Sequence, residues 1–195
     1  MSSKHHIFLT GTPGVGKSTL CQKALQQAVE KGWHCAGFYT EERRDDRGER
    51  CGFDVVTLDG LHGPLARVSM GRGPRVGKYS VDLASFERLA LPALSVLKQG
   101  PPTLVLIDEI GAMELFCRPF FPAVRAVLDA PNVVVLGTIP LPKEGRVFRE
   151  VAEVSARPDV EVLTVTRANR DVLVSEVVAK LQASLLRSAQ RATAL

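Results

Sequence analysis

Long apolar runs are missing from this 195-residue chain. Stretches such as Leu104–Ile107 and Val133–Leu136 hold only a few residues each, far below the roughly 20 that a membrane-spanning helix needs. Nothing before His6 forms the apolar centre of a secretory signal, so a cytoplasmic address is expected, with a nuclear pool left open. Cysteine is scarce as well. Cys21, Cys35, Cys51 and Cys117 stand apart with no Cys-x-x-Cys pair. That excludes a disulfide scaffold, argues against a zinc site and suits free thiols in a reducing compartment. The 16 glycines and 12 prolines are dispersed, so no low-complexity linker divides the chain, and no internal repeat is present. Neither sign of charge dominates: 25 Lys and Arg stand against 21 Asp and Glu, for a net charge of +4. This mild excess favours an anionic partner without choosing one. The basic platform interleaved with aromatics that would make nucleic acid a partner is absent.

What is present suits a soluble globule: 45% hydrophobic and 24% charged residues, in a length typical of one domain with one sizeable core. Residues 1–195 are therefore expected to form a single domain that acts as a monomer. Ile7–Thr10 reads as a short buried strand, followed by a glycine-rich turn and a helix over Lys17–Lys31 with Gly32 as its stop. Ala36–Thr40 and Gly52–Leu58 read as strands joined by a charged hairpin over Glu41–Arg50. Asp59–Lys78, rich in Gly, Pro and basic residues, reads mostly as loop, so that about 37–80 forms an insertion. Leu83–Leu97 has helical spacing that Pro92 should end or kink. Thr103–Ile107, Val133–Thr138 and Val160–Thr166 are apolar runs without alternation, as expected of strands covered on both faces. Helices are expected over Pro122–Leu128, Arg146–Ala156 and Asn169–Arg187. Such alternation predicts an α/β fold: a mainly parallel central sheet with helices on both faces and an inserted antiparallel hairpin. Ligands of such sheets bind at the carboxyl ends of the strands.

Directly after the first strand stands Gly11-Thr12-Pro13-Gly14-Val15-Gly16-Lys17-Ser18, which fits G-x-x-x-x-G-K-[ST] without a mismatch. A polyphosphate needs several donors converging on it, and backbone N–H groups converge only where the chain wraps closely. Glycines permit that wrap. The helix beginning at Lys17, with Thr19 in its first turn, points free N–H groups and a positive dipole end at the same place. Lys17 supplies a mobile charge, and Ser18 can put its hydroxyl on Mg²⁺. The strand Leu104-Val105-Leu106-Ile107 runs into Asp108-Glu109. An aspartate at the end of a buried strand beside the phosphate loop can hold Mg²⁺ with Ser18. Glu109, one residue on, is placed to take a proton from an attacking water.

Five segments occur in one order: Gly11–Ser18; Gly37-Phe38-Tyr39-Thr40-Glu41-Glu42; Gly52-Phe53-Asp54-Val55-Val56; Asp108-Glu109-Ile110-Gly111 with Met113-Glu114-Leu115; and Gly137-Thr138-Ile139-Pro140. As a set, from about Ile7 to Leu181, they resemble the small family of thermophile-type P-loop nucleoside triphosphatases, which has members in vertebrates and in thermophilic archaea and bacteria. The resemblance implies a RecA-like P-loop domain. It also implies slow, Mg²⁺-dependent hydrolysis of ATP, GTP, CTP, UTP and TTP to diphosphate and phosphate, with weaker action on diphosphates. Carried over by residue, Gly11–Ser18 forms the phosphate loop, and Leu104, Val105, Leu106, Ile107, Asp108, Glu109, Ile110 and Gly111 form the second nucleotide-contacting stretch. One departure is visible: the family usually has Lys where this chain has Ala112.

Further candidates come from the residues themselves. Arg67, Arg72, Arg75 and Lys78 line the Gly/Pro-rich stretch, and Arg67 or Arg75 could serve as an arginine finger, the alternative being a solvated basic loop. Glu41 and Glu42 could order metal or water at the ligand edge, or pair within the hairpin. Thr138 could meet the γ-phosphate or simply end its strand. Asn169 and Arg170 open the last helix where a base should lie. Arg170 could stack on any base through its planar guanidinium, and Asn169 is also a plausible helix cap. His5 and His6 are expected as unpaired surface groups with no metal, and Trp33 as packing below the first helix. A nucleoside-triphosphate phosphohydrolase is the leading expectation. A small-molecule or nucleotide kinase and a nucleotide-controlled binding switch remain open beside it.

Overall fold

The computed structural model describes residues 4–68, 71, 73–95, 100–142 and 147–192. The chain runs β1 (His6–Thr10), α1 (Lys17–Glu30), β2 (His34–Arg44), β3 (Arg50–Thr57), β4 (His62–Arg67), β5 (Arg75–Val76), β6 (Tyr79–Val81) and α2 (Leu83–Ala93). It continues with β7 (Thr103–Ile107), a 3₁₀ turn at Glu114–Phe116, α3 (Phe120–Leu128), β8 (Val133–Thr138), α4 (Arg149–Ala156), β9 (Val160–Thr164) and α5 (Arg170–Ala192). Among the described residues the strands join in one sheet of order β5-β6-β4-β3-β2-β7-β8-β1-β9. From β2 to β9 all neighbours pair in parallel; from β2 to β5 all pair antiparallel.

Period-two geometry explains why the parallel strands are apolar throughout. Phe8, Val105, Ile107, Val133 and Val135 point to one face, under α2, α3 and α4. Ile7, Leu9, Leu104, Leu106, Val134 and Leu136 point to the other, under α1 and α5. In the first core Phe38, Phe86 and Phe120 meet edge to face, with ring centroids 5.1–6.0 Å apart. Each such pair adds about 0.5–1.5 kcal/mol beyond simple burial. Trp33 packs on the second core, as expected. There α1 closes with Gly32 and Trp33 donating back to Val29 and Ala28, a Schellman-type end.

The inserted hairpin is larger than its sequence signal. Its turn spans only Asp45–Glu49, braced by the Asp45 carboxylate. The stretch expected as loop, Asp59–Lys78, carries β4 and β5, with β6 directly following. These strands are short, β4 contains Pro64, and pairing between β3 and β4 shifts register at Phe53/Asp54, so no alternation announces them. β2 pairs with β7 only over His34–Phe38. Beyond that point Tyr39–Arg44 continues with β3 alone, raising an antiparallel wing past the carboxyl edge of the parallel strands. Pro92 sits in the last turn of α2, which ends at Ala93. Expectations for Arg72, for Val96 and Leu97, and for Arg146 fall outside the described residues.

His6 is not a surface group. It is fully buried, its Nδ1 accepting from the Val135 N–H at 3.1 Å and its Nε2 facing the Leu128 carbonyl at 3.2 Å. His5, His6 and Asp159 lie within metal-ligand reach of one another. Both His6 nitrogens are engaged, and both Asp159 oxygens accept from Arg157.

Candidate functional site

The carboxyl ends of β1, β8 and β7 lie side by side, tied by Ile139 N–H to Leu9 O at 3.0 Å and Ile110 N–H to Thr138 O at 2.9 Å. The glycine-rich turn leaves β1 here. Gly16, the residue before α1, has φ +110°, a left-handed conformation that glycine enters without a side-chain penalty. No side chain caps α1, and its first turn holds no acidic residue. Its positive end therefore faces outward uncompensated, a ready anion site. Thr12, Pro13 and Gly14 form the exposed crest, Val15 anchors the loop in the core, and Thr19 stays exposed on the helix. The Lys17 ammonium donates to the loop's own Gly11 carbonyl at 3.1 Å.

Asp108 comes beside the phosphate loop although β8 lies between β7 and β1: the Ser18 hydroxyl and the Lys17 charge both act on its carboxyl. Thr138, at the end of that intervening strand, donates its hydroxyl to Asp108 Oδ1 at 2.6 Å. This assigns Thr138, fully buried, to holding Asp108. Burial pushes the Asp108 carboxyl above its ordinary range, opposed by the Thr138 and Ser18 hydroxyls, the Lys17 charge and the Thr40 N–H. Its Oδ2 is buried and finds no donor of hydrogen-bond geometry. A hydroxyl and a carboxylate oxygen so arranged form a hard donor set that fits Mg²⁺.

Of the second stretch, Leu104, Val105, Leu106, Ile107 and Ile110 bury their side chains in the two cores, so those side chains do not face a ligand. Toward the end of that stretch the Asp108–Glu109 peptide is cis. Glu109 is half-buried, and Gly111 lies against its carboxylate: a Cβ at position 111 would stand 2.4 Å from Glu109 Oε1 and 3.1 Å from Glu114 Oε2. Glu114, which the sequence offers only as one letter of a motif, is 5% exposed and accepts from the Gly111 N–H at 3.2 Å. Burial, then the Glu109 charge, pushes its carboxyl up to about 8. The available signal was an acid inside the run from Ile110 to Phe116, otherwise apolar or small.

Arg170 comes to the loop. Its Nη1 donates to Val15 O at 3.4 Å, and its Cδ lies 3.6 Å from where a Gly16 Cβ would be. Asn169 instead exchanges hydrogen bonds with Thr166: Thr166 N–H to Asn169 Oδ1 at 2.8 Å, and Asn169 N–H to Thr166 Oγ1 at 3.2 Å. This is the reciprocal capping box, with Thr166 as the cap. Arg67 is committed elsewhere, donating to Asp54, to Phe53 O at 2.6 Å and to Ala66 O at 3.0 Å. Arg75 lies on the outermost strand, with β6, β4, β3, β2, β7 and β8 between it and β1. The structure therefore brings neither proposed finger beside the phosphate loop. Glu42 pairs with Arg44 and Arg50 within the hairpin, and Glu41 is exposed beside Tyr39.

A sequence profile of the NTPase family matches residues 6–178. The cancer-related nucleoside-triphosphatase homolog of Bos taurus is 51% identical to this chain, across 92% of it and 97% of the relative. The solution structure of a human cancer-related nucleoside triphosphatase superposes with TM-score 0.82 at 49% identity, covering 92% of this chain and 98% of that one. The crystal structure of THEP1 from the hyperthermophile Aquifex aeolicus gives TM-score 0.78 at 34% identity, covering 90% and 98%.

Proposed function

The chain belongs to the NTPase family, and from that premise we propose that it hydrolyses nucleoside triphosphates to diphosphate and phosphate, slowly, with Mg²⁺ and little regard for the base. One observation carries the reading: the uncapped start of α1 and a buried carboxylate with an unpartnered oxygen meet at the same strand ends. The loop N–H groups and Lys17 take the β- and γ-phosphate oxygens. Ser18 and Asp108 would hold Mg²⁺, which when bound offsets the charge of those oxygens. Glu109 accepts the proton of a water whose oxygen bonds to the γ-phosphorus as the bond to the β-bridging oxygen breaks. Arg170, against the loop's shoulder, adds a cation along the nucleotide. No step is given to Arg67 or Arg75, nor to Asn169 beyond bracing the turn that carries Arg170.

Every residue invoked lies on one chain, and the proposed reaction is that of a monomer acting without nucleic acid or membrane. The free cysteines suit a cytoplasmic setting. No described helix is long and apolar enough to cross a membrane.

Glu109→Gln tests the reading. Triphosphate binding is expected to persist while phosphate release falls at least ~10²-fold, the scale of losing a positioned base. Lys17→Ala should weaken binding and turnover together. Release measured across ATP, GTP, CTP, UTP and TTP, with and without Mg²⁺ and without any acceptor, decides the chemistry. Strict dependence on an added acceptor would replace the hydrolase with a kinase, and turnover that appears only with a macromolecular partner would replace it with a switch.

A further inference from the structure

We propose that Glu114 is the positioning residue for Glu109, its buried carboxyl clamping the Gly111 N–H so that the turn after β7 presents the Glu109 carboxylate at the strand ends. The inference rests on the reading of Glu109 as the base.

Three main-chain groups of the turn are held by hydrogen bonds. Ile110 donates to Thr138 O at 2.9 Å, Leu115 donates to Gly111 O at 3.0 Å, and the Gly111 N–H goes to Glu114 Oε2 at 3.2 Å. The first two bonds are main chain to main chain and any sequence could make them. The third needs an acceptor on the side chain at position 114. An apolar residue would fill the same buried space without the cost of burying a carboxyl, but it would leave a buried N–H unmatched.

Both carboxyl groups rest on the bare face of Gly111. The same hypothetical methyl would meet Glu109 Oε1 at 2.4 Å and Glu114 Oε2 at 3.1 Å, so the two oxygens lie within the sum of those distances of each other. Two ionised carboxylates that close would repel and spread the turn. The Glu114 carboxyl, pushed up to about 8 by burial and by Glu109, keeps its proton at neutral pH. One acid therefore stays neutral and grips the backbone while the other is placed for chemistry. Glu114 touches Gly111 and acts through it, so its effect belongs in turnover and not in nucleotide binding.

Two substitutions that preserve volume separate this role from space filling. Glu114→Gln keeps an oxygen for the Gly111 N–H; Glu114→Met does not. With ATP, kcat, KM and Tm are measured for each. E114M is expected to lose at least about tenfold in kcat, since small misplacements of a reacting group cost one to two orders of magnitude, with KM unchanged and no fall in Tm. E114Q is expected to recover kcat to within about threefold of wild type. Wild-type kcat in E114M, a loss confined to KM, or an E114Q as impaired as E114M would overturn the proposal. Should E114M fail to fold, Glu114→Leu decides instead: it too offers no acceptor to the Gly111 N–H, so a tenfold fall in kcat at unchanged KM supports the clamp and a wild-type kcat overturns it. Glu109→Gln run in parallel separates the two readings. If E109Q turns over normally, the base assignment fails. If E109Q is inactive and E114M is not, only the positioning role fails.

Discussion

Stability of the nucleotide-free protein should fall as pH rises through neutrality, and Glu114 should be the main cause. Its carboxyl sits at about 8 in the fold, raised from 4.5 first by burial and then by the Glu109 charge. Between those two values the folded chain holds a proton that the unfolded chain has released. Stability changes with pH in proportion to protons bound by the unfolded state minus those bound by the folded state. That difference is negative here, so the contribution is fully present below pH 4.5 and disappears as pH climbs through 8. A shift of three to four units at about 1.4 kcal/mol each comes to roughly 5 kcal/mol, comparable with the entire stability of many domains. Asp108 is raised by burial in the same direction, so wild type alone would not isolate Glu114; its difference from E114Q does. Urea unfolding at pH 6.5, 7, 7.5, 8 and 8.5, above the acid range in which His6 acts, should show wild type losing roughly 2 kcal/mol while the E114Q curve is distinctly flatter, both with the same denaturant slope. Parallel curves for the two proteins would refute the assignment, as would a wild type that gains stability over this window.

At the acid end His6 should act with the opposite sign. Burial holds its ring at about 4 instead of 6.5, so the folded ring is neutral while the unfolded one takes a proton. Stability present above pH 6.5 should fall by about 3 kcal/mol as pH drops toward 4. Guanidinium unfolding of wild type and His6→Gln between pH 7 and 4.5 should show the slope shrinking in the variant. Arg170→Ala should raise KM for the triphosphate by about tenfold through loss of one charged contact, with kcat little changed; steady-state kinetics checks this, and an unchanged KM would remove Arg170 from the site. Thr166→Ala should cost about 1 kcal/mol by losing the cap of α5. Asn169→Ala in the same background should add little to that in calorimetry, because the two residues form one reciprocal pair.

Contiguity governed how much of this was legible in the sequence. The phosphate loop and the Asp108-Glu109 pair are runs of neighbouring residues whose chemistry is complete within a few positions, and β1, β7, β8 and β9 are runs that need no partner to be recognised. The wing was obscured because its evidence is cross-strand. Arg67 reaches Asp54 only because β3 and β4 pair in the register that sets Gly52 against Arg67, and no spacing within either strand reports that. The same holds for Thr138: as a strand-ending threonine it has no distinctive context until β8 pairs with β7 and brings its hydroxyl onto Asp108.

Buried titratable groups mark the limit most sharply, and for a common reason. His6 stands next to an undistinguished terminus, yet it is enclosed by a carbonyl at position 128 and an N–H at position 135. Glu114 reads as one more acid near an acidic pair, yet it lies under the backbone of Gly111. In each case a polar side chain does work that the sheet's own ladder leaves undone: His6 receives the Val135 N–H, and Glu114 receives the Gly111 N–H. A local pattern records what a residue is, while these roles depend on which donor the fold leaves without a main-chain acceptor. Such residues are therefore found by following backbone donors that lack a main-chain acceptor, and at this site that route leads from the Gly111 N–H to the acid behind the base.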